Sequence, residues 1–205
     1  MKSLFTAFSL LLVMASPALA QSAGFVRGFG GVSFFTEPGA LVGATVGIRI
    51  TDALAAIGDV GRMTNILPRS IQRDVDLIAQ EIGDFFGAPV TIDLEAPALY
   101  TFGGLRFSHA LSSGLRVFAE GGAGIARGTS DITARVGSTD VSPQVTDLLQ
   151  LKESATEPLL ALGGGLWMAL SDHLSADVGY RYFRIFTDDP RIDTGTLVAG
   201  LNWSF

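Results

Sequence analysis

The sequence predicts an all-β protein: an eight-stranded antiparallel up-and-down transmembrane β-barrel with short helices in two long outer loops. Three observations predict it. Eight segments of alternating hydrophobicity recur along the chain, the connections between them alternate short and long, and an export signal precedes a chain that has no apolar stretch of helix-spanning length.

The export signal comes first. Lys2 is followed by an apolar run from Leu4 to Met14, then by Pro17 and the small-residue sequence Ala18-Leu19-Ala20 before Gln21. This pattern predicts a signal peptide over residues 1–20, cleaved after Ala20, and its apolar core is shorter than the roughly 20 residues a spanning helix needs. Cleavage removes one lysine, so the formal charge of −6 becomes −7 over the single barrel domain 21–205. There is no cysteine, and hence no disulfide framework, thiolate metal site or acylated lipoprotein cysteine. The longest strongly apolar stretch after the signal, Leu159 to Leu170, is interrupted by three glycines. A chain of this kind can satisfy its backbone N–H and C=O groups inside lipid only as a closed barrel. An acidic balance with Lys152 as the one lysine after the signal argues against nucleic acid as a partner.

The eight predicted strands are Gly24 to Phe35, Leu41 to Ile50, Ala53 to Thr64, Ala98 to Ser108, Leu115 to Gly128, Leu159 to Leu170, Leu174 to Phe186, and Thr194 to Phe205. Each is about as long as the nine to eleven residues with which a tilted strand crosses a bilayer, or longer, and an even strand number is what bacterial barrels show. Three tight connections look alike: Arg49 to Leu54, Phe107 to Ser112, and Ala169 to Leu174. The others run over Thr36 to Ala40, Asn65 to Pro97, Thr129 to Pro158, and Thr187 to Asp193. Short turns on the periplasmic side and longer loops outside are the asymmetry of outer-membrane barrels.

Parity within the strands assigns their faces. In the last strand Leu197, Ala199, Leu201, Trp203 and Phe205 would meet lipid, and Thr196, Val198, Gly200, Asn202 and Ser204 the lumen. In the seventh, Leu174, Ala176, Val178, Tyr180 and Tyr182 point out, while Ser175, Asp177, Gly179, Arg181 and Phe183 point in. Trp203, Phe205, Tyr180 and Tyr182 suit the aromatic girdles at the interfaces.

With these strands and the terminal sequence Leu201-Asn202-Trp203-Ser204-Phe205, the chain from about Gly24 onward resembles the small eight-stranded outer-membrane barrels of the OmpA, OmpX and opacity-protein type. The resemblance implies a location in the bacterial outer membrane after export to the periplasm, with membrane lipid as surroundings. It also implies a barrel-assembly signal at Leu201, Trp203 and Phe205, read by the assembly machinery during insertion. The OmpA pattern continues into a peptidoglycan-binding domain that is not seen after this barrel, so cell-wall tethering is not carried over.

Extending the parity places Arg27, Arg49, Asp59, Arg106, Arg116, Glu120, Asp177 and Arg181 on the inward face, five positive and three negative charges. An eight-stranded barrel is just wide enough for side chains to fill. The expectation is therefore an internal charge network that plugs the lumen, with Glu120 and Asp177 held by arginine forks. The alternative is that some of these groups, Arg27 and Arg49 above all, sit at the rims in water. If the arginines line water instead, the barrel is a narrow pore for small solutes.

The second outer loop predicts a helix over Ser70 to Phe86, after Pro68 and stopped by Gly87, with Ile71, Val75, Ile78, Ile82 and Phe85 on one face and Arg73, Asp74, Glu81 and Asp84 opposite. The third predicts a shorter helix over residues 142–153, with Val145, Leu148, Leu149 and Lys152 on one side. Their apolar faces must be buried, and mutual packing over the barrel mouth is expected. Loops on a rigid scaffold also offer a recognition surface for an extracellular partner.

Covalent chemistry is not expected. His109 and His173 both fall in periplasmic turns, and nothing supplies the three or four convergent ligands of a zinc site. Ser108, His109, Ser112 and Ser113 have the residue types of a lipid-modifying barrel enzyme, but they lie at the wrong end and are what tight turns prefer. Gly121 to Gly128 lacks the glycine spacing and the following helix of a dinucleotide loop. Asp188, Asp189 and Asp193 around Pro190 read as a solvated acidic turn rather than a calcium site, and the sequon Asn202-Trp203-Ser204 lies inside a strand. No cofactor and no metal are expected.

Overall fold

A computed structural model describes residues 24–34, 38–129, 131–136, 139–140, 154–187 and 191–205. The signal peptide expected over residues 1–20 and the helix expected over 142–153 lie outside the described residues. The barrel strands are β1 (Gly24–Ser33), β2 (Ala40–Arg49), β3 (Leu54–Met63), then, after helix α1 (Arg69–Phe86) and strand β4 (Val90–Glu95), β5 (Ala98–Ala110) and β6 (Leu115–Thr129). Two outer strands, β7 (Asp131–Val136) and β8 (Thr139–Asp140), precede β9 (Ser154–Ala169), β10 (Leu174–Ile185) and β11 (Ile192–Ser204). Eight of these strands close into one barrel in chain order, β1 pairing β2 on one side and β11 on the other. All the ladders are antiparallel, so the barrel has no open edge on which backbone groups would meet lipid unpaired.

The three look-alike turns share one hydrogen-bond pattern. Leu54 O accepts from Ile50 N (2.8 Å) and Thr51 N (3.0 Å), Leu115 O from Leu111 N (2.9 Å) and Ser112 N (3.1 Å), and Leu174 O from Leu170 N and Ser171 N (2.9 Å each). In the first and third, the Thr51 and Ser171 hydroxyls also accept from the N–H of Leu54 and Leu174. The middle turn lies later than the sequence suggests: β5 continues through Phe107 to Ala110, and Leu111 to Gly114 make the turn. Ladder pairing of Ser108, His109 and Ala110 with β6 outweighs their turn propensity.

Burial follows the parity. In β11 Thr196, Val198, Asn202 and Ser204 are buried, while Leu197, Ala199, Leu201, Trp203 and the following Phe205 are exposed. Val46, Ile48, Leu105, Val178 and Leu201 are each at least 50% exposed. A soluble protein rarely presents so continuous an apolar surface, and lipid is what covers it.

Outside the membrane, α1 begins one residue before its predicted start and ends at Gly87, whose left-handed φ of 62° lets its N–H reach Gly83 O. It packs against β4, which pairs β7 and through it β8 in a second small sheet. This sheet was not among the expected elements. Its signal is present all the same: Val90, Ile92 and Leu94, and again Ile132, Ala134 and Val136, alternate with polar residues. β6 and β9 also extend past the expected limits, pairing up to Thr129 and Ser154.

Candidate functional site

Six of the eight predicted lumen charges meet near the middle of the barrel. Arg106 and Glu120 are direct cross-strand partners on β5 and β6, and Arg106 donates to Glu120 Oε2 from Nε (2.9 Å) and Nη2 (2.6 Å). Arg181 of β10 donates from Nε to Glu120 Oε1 (2.6 Å) and from Nη1 and Nη2 to Asp59 (3.2 and 2.9 Å). Asp59 accepts a further bond from the Thr45 hydroxyl (2.6 Å). Arg27 grips Asp177 with two donors, Nε to Oδ2 at 2.8 Å and Nη2 to Oδ1, and Asn202 Nδ2 adds a third bond (2.6 Å). The paired side chains are 0–8% exposed.

Two glycines let these pairs reach across an intervening strand. Gly163 stands between Glu120 and Arg181 in the ladder, and a Cβ there would lie 3.1 Å from Arg181 Cγ and 3.3 Å from Glu120 Cγ. Gly200, the β11 partner of Asp177, lies beneath the Arg27–Asp177 pair, its Cβ position being 2.8 Å from Arg27 Nε and 3.1 Å from Asp177 Oδ2. Aromatic faces complete the shell: the Arg181 guanidinium lies 4.4 Å from the Phe29 ring centroid, Arg27 4.8 Å from the same ring, and Arg106 4.8 Å from Phe118. Toward the outer end the lumen is apolar, with Tyr100, Phe102, Phe183, Leu41, Leu159 and Ile185 buried in one cluster.

Arg49 and Arg116 stand apart, half-buried at the periplasmic mouth. Arg49 donates to Ser204 Oγ (3.4 Å) and Arg116 to the carbonyl of Asp52 (2.8 Å), with its guanidinium 5.9 Å from the Trp167 ring centroid. Arg27, in contrast, is fully buried despite its place near a strand end. The inner cluster thus holds three arginines against three carboxylates, which balances the charge that the eight-residue set left at an excess of two positives. Parity assigns a face but not a height, which is why all eight read alike in sequence.

Leu201, Trp203 and Phe205 line the outward face of the closing strand, and Phe205 exchanges backbone hydrogen bonds with Gly24 (3.1 and 3.2 Å). His173 stacks on Trp203 (5.7 Å between centroids) at the same end, while His109 lies on β5. Gly121 to Gly128 form part of β6. Among the described residues no group of three or more His, Cys, Asp or Glu is placed to hold a metal ion.

Residues 6–205 match the family of the outer membrane protein beta-barrel domain. Among curated proteins the chain has no significant match. Among solved structures it is similar to Neisserial surface protein A (TM-score 0.58, 16% identity, covering 89% of this chain and 97% of the other). It is likewise similar to the N-terminal barrel of Pseudomonas aeruginosa OprF (0.51, 13%, 90% and 98%) and to Ail, the attachment invasion locus protein of Yersinia pestis (0.50, 14%, 89% and 97%). At these identities the likeness is one of fold, and it agrees with the closed barrel. The chain therefore belongs to the outer membrane protein beta-barrel domain family and is a small β-barrel of the bacterial outer membrane.

Proposed function

We propose that this protein is a sealed, non-catalytic barrel whose role is structural or lies in surface interaction through its outer loops. One observation carries the reading: the lumen is filled at two levels, by a charge-balanced cluster of three arginines and three carboxylates and, above it, by the apolar cluster around Tyr100 and Phe183. A solute passing through would have to break pairs whose partners are out of water, and an unpaired buried charge is far costlier than a hydrated one. The outer sheet with α1 against it gives the loops a shaped, partly rigid surface suited to a partner. The reading is in keeping with structural neighbours named as a surface protein and an attachment invasion locus protein.

Planar-bilayer recording of the refolded barrel tests the seal, with insertion verified by the mobility difference between unboiled and boiled samples on electrophoresis. Insertion without discrete conductance is expected. Reproducible channels would reject the seal and favour the narrow pore, with Arg27, Arg106 and Arg181 as its selectivity determinants.

A further inference from the structure

The charge cluster closes without Arg49 and Arg116, and these two frame a concavity that the sealed-barrel reading does not use. Beneath the Arg106–Glu120 pair the lumen opens to the periplasmic side as a small funnel with about 60 Å³ of enclosed space. Arg49, Arg106 and Arg116 lie in its wall, interleaved with Phe25, Phe118 and Trp167. A mainly apolar hollow with a few converging polar groups has the chemical character of a small-ligand site. Its upper end is shut, because Arg106 lies between the Phe25 and Phe118 rings, 5.2 and 4.8 Å from their centroids, and is tied to Glu120.

Arg116 points to the ligand's chemistry. Its Nη2 donates to Asp52 O, but its Nε is buried in the funnel wall with no acceptor among the described residues. A buried guanidinium N–H demands an acceptor, and the planar fork of arginine matches a carboxylate or a phosphate. The aromatic walls choose between them: a monoanionic carboxylate on an apolar body covers the rings, whereas phosphate would surrender its stronger hydration against them. We propose that the periplasmic funnel binds a small organic carboxylate with an aromatic or aliphatic body, its oxygens on Arg116 and its body against Trp167 and Phe118.

The chain has two tryptophans, so a Trp203→Phe background leaves Trp167 in the funnel as the fluorescent reporter. The barrel, folded in an uncharged maltoside detergent, is titrated with phenylacetate, its neutral isostere phenylacetamide, and inorganic phosphate at constant ionic strength. Phenylacetate should give a saturable change in Trp167 emission, with phenylacetamide and phosphate each about tenfold weaker or worse. Arg116→Gln should weaken phenylacetate by about tenfold to a hundredfold, the worth of one charged hydrogen-bonding group. Arg62→Gln, on the outward face at the far end of β3, should leave it unchanged. Each variant is first verified as folded by its electrophoretic shift. Should Arg116→Gln not fold, Arg116→Lys, which keeps the charge but loses the fork, decides by binding more weakly than the parent. Absence of saturation, equal affinity for phenylacetamide, or undiminished binding in the Arg116 variant would overturn the proposal. Phosphate binding as tightly as phenylacetate would overturn the choice of an apolar carboxylate.

Discussion

Replacing Glu120 by Gln tests the centre of the lumen with almost no change of shape. The carboxylate takes three arginine bonds, two from Arg106 and one from Arg181. An amide keeps one acceptor oxygen and turns an N–H₂ donor toward the other guanidinium, so one set of bonds becomes donor against donor. Arg181 retains Asp59, but Arg106 loses its counter-ion and the balanced cluster becomes three positive against two negative. Removing one member of a buried pair costs about 3–5 kcal/mol, and the surviving Arg181–Asp59 bonds place this case near about 3 kcal/mol. With a urea dependence of about 1–3 kcal/mol per molar, the unfolding midpoint should fall by about 1–3 M. Urea unfolding of the barrel in micelles, followed by tryptophan emission and by unboiled electrophoretic mobility, measures it. Asp193→Asn is the control: its pair with Arg184 is about a third or more exposed on both sides and should cost less than about 1 kcal/mol. Adding Arg106→Gln to Glu120→Gln should cost less than the sum of the single changes, because the second substitution removes the orphaned charge. An unchanged midpoint for Glu120→Gln, within about 0.5 kcal/mol of the parent, would refute the idea that this carboxylate is a buried counter-ion.

Three other outcomes are expected. A Cβ on Gly124 would lie 2.0 Å from the Thr101 carbonyl, whereas one on Gly28 meets nothing within 4 Å; Gly124→Val should abolish the heat-modifiable folded band on electrophoresis, and Gly28→Ala should leave it intact. Phe205→Ala should lower the amount of protein assembled in the outer membrane of cells while changing the urea midpoint of the refolded barrel by less than about 1 kcal/mol, since the side chain is exposed; equal assembly would count against the terminal signal. Gly87→Val forces a β-branched residue into the left-handed region and should cost about 1–2 kcal/mol locally; hydrogen exchange should rise in α1 and leave the barrel ladders protected, and uniform loss of protection would show that loop and barrel unfold as one unit.

Much of this protein was determined by its sequence alone, because its surroundings impose simple periodicities. A strand with lipid on one side and a packed lumen on the other must alternate, and Leu197 to Phe205 does so without interruption. Ile71 to Gly87 carries both the helical repeat and its stop, so α1 was predicted within one residue of its start. Tertiary structure decided what alternation cannot encode. Height along the barrel separates Arg116 at the mouth from Arg27 in the cluster, although both are inward arginines near strand ends. Closure of β1 onto β11 brings Arg27 within reach of Asp177, 150 positions away in sequence. The absence of side chains at Gly163 and Gly200 lets the ion pairs cross a strand. The outer sheet was legible in the alternation of Val90 to Glu95 and of Asp131 to Val136, but which strand each would join depended on chain folding outside the membrane. Local sequence sets which face a side chain takes, while its partner is chosen by the register and closure of the whole barrel.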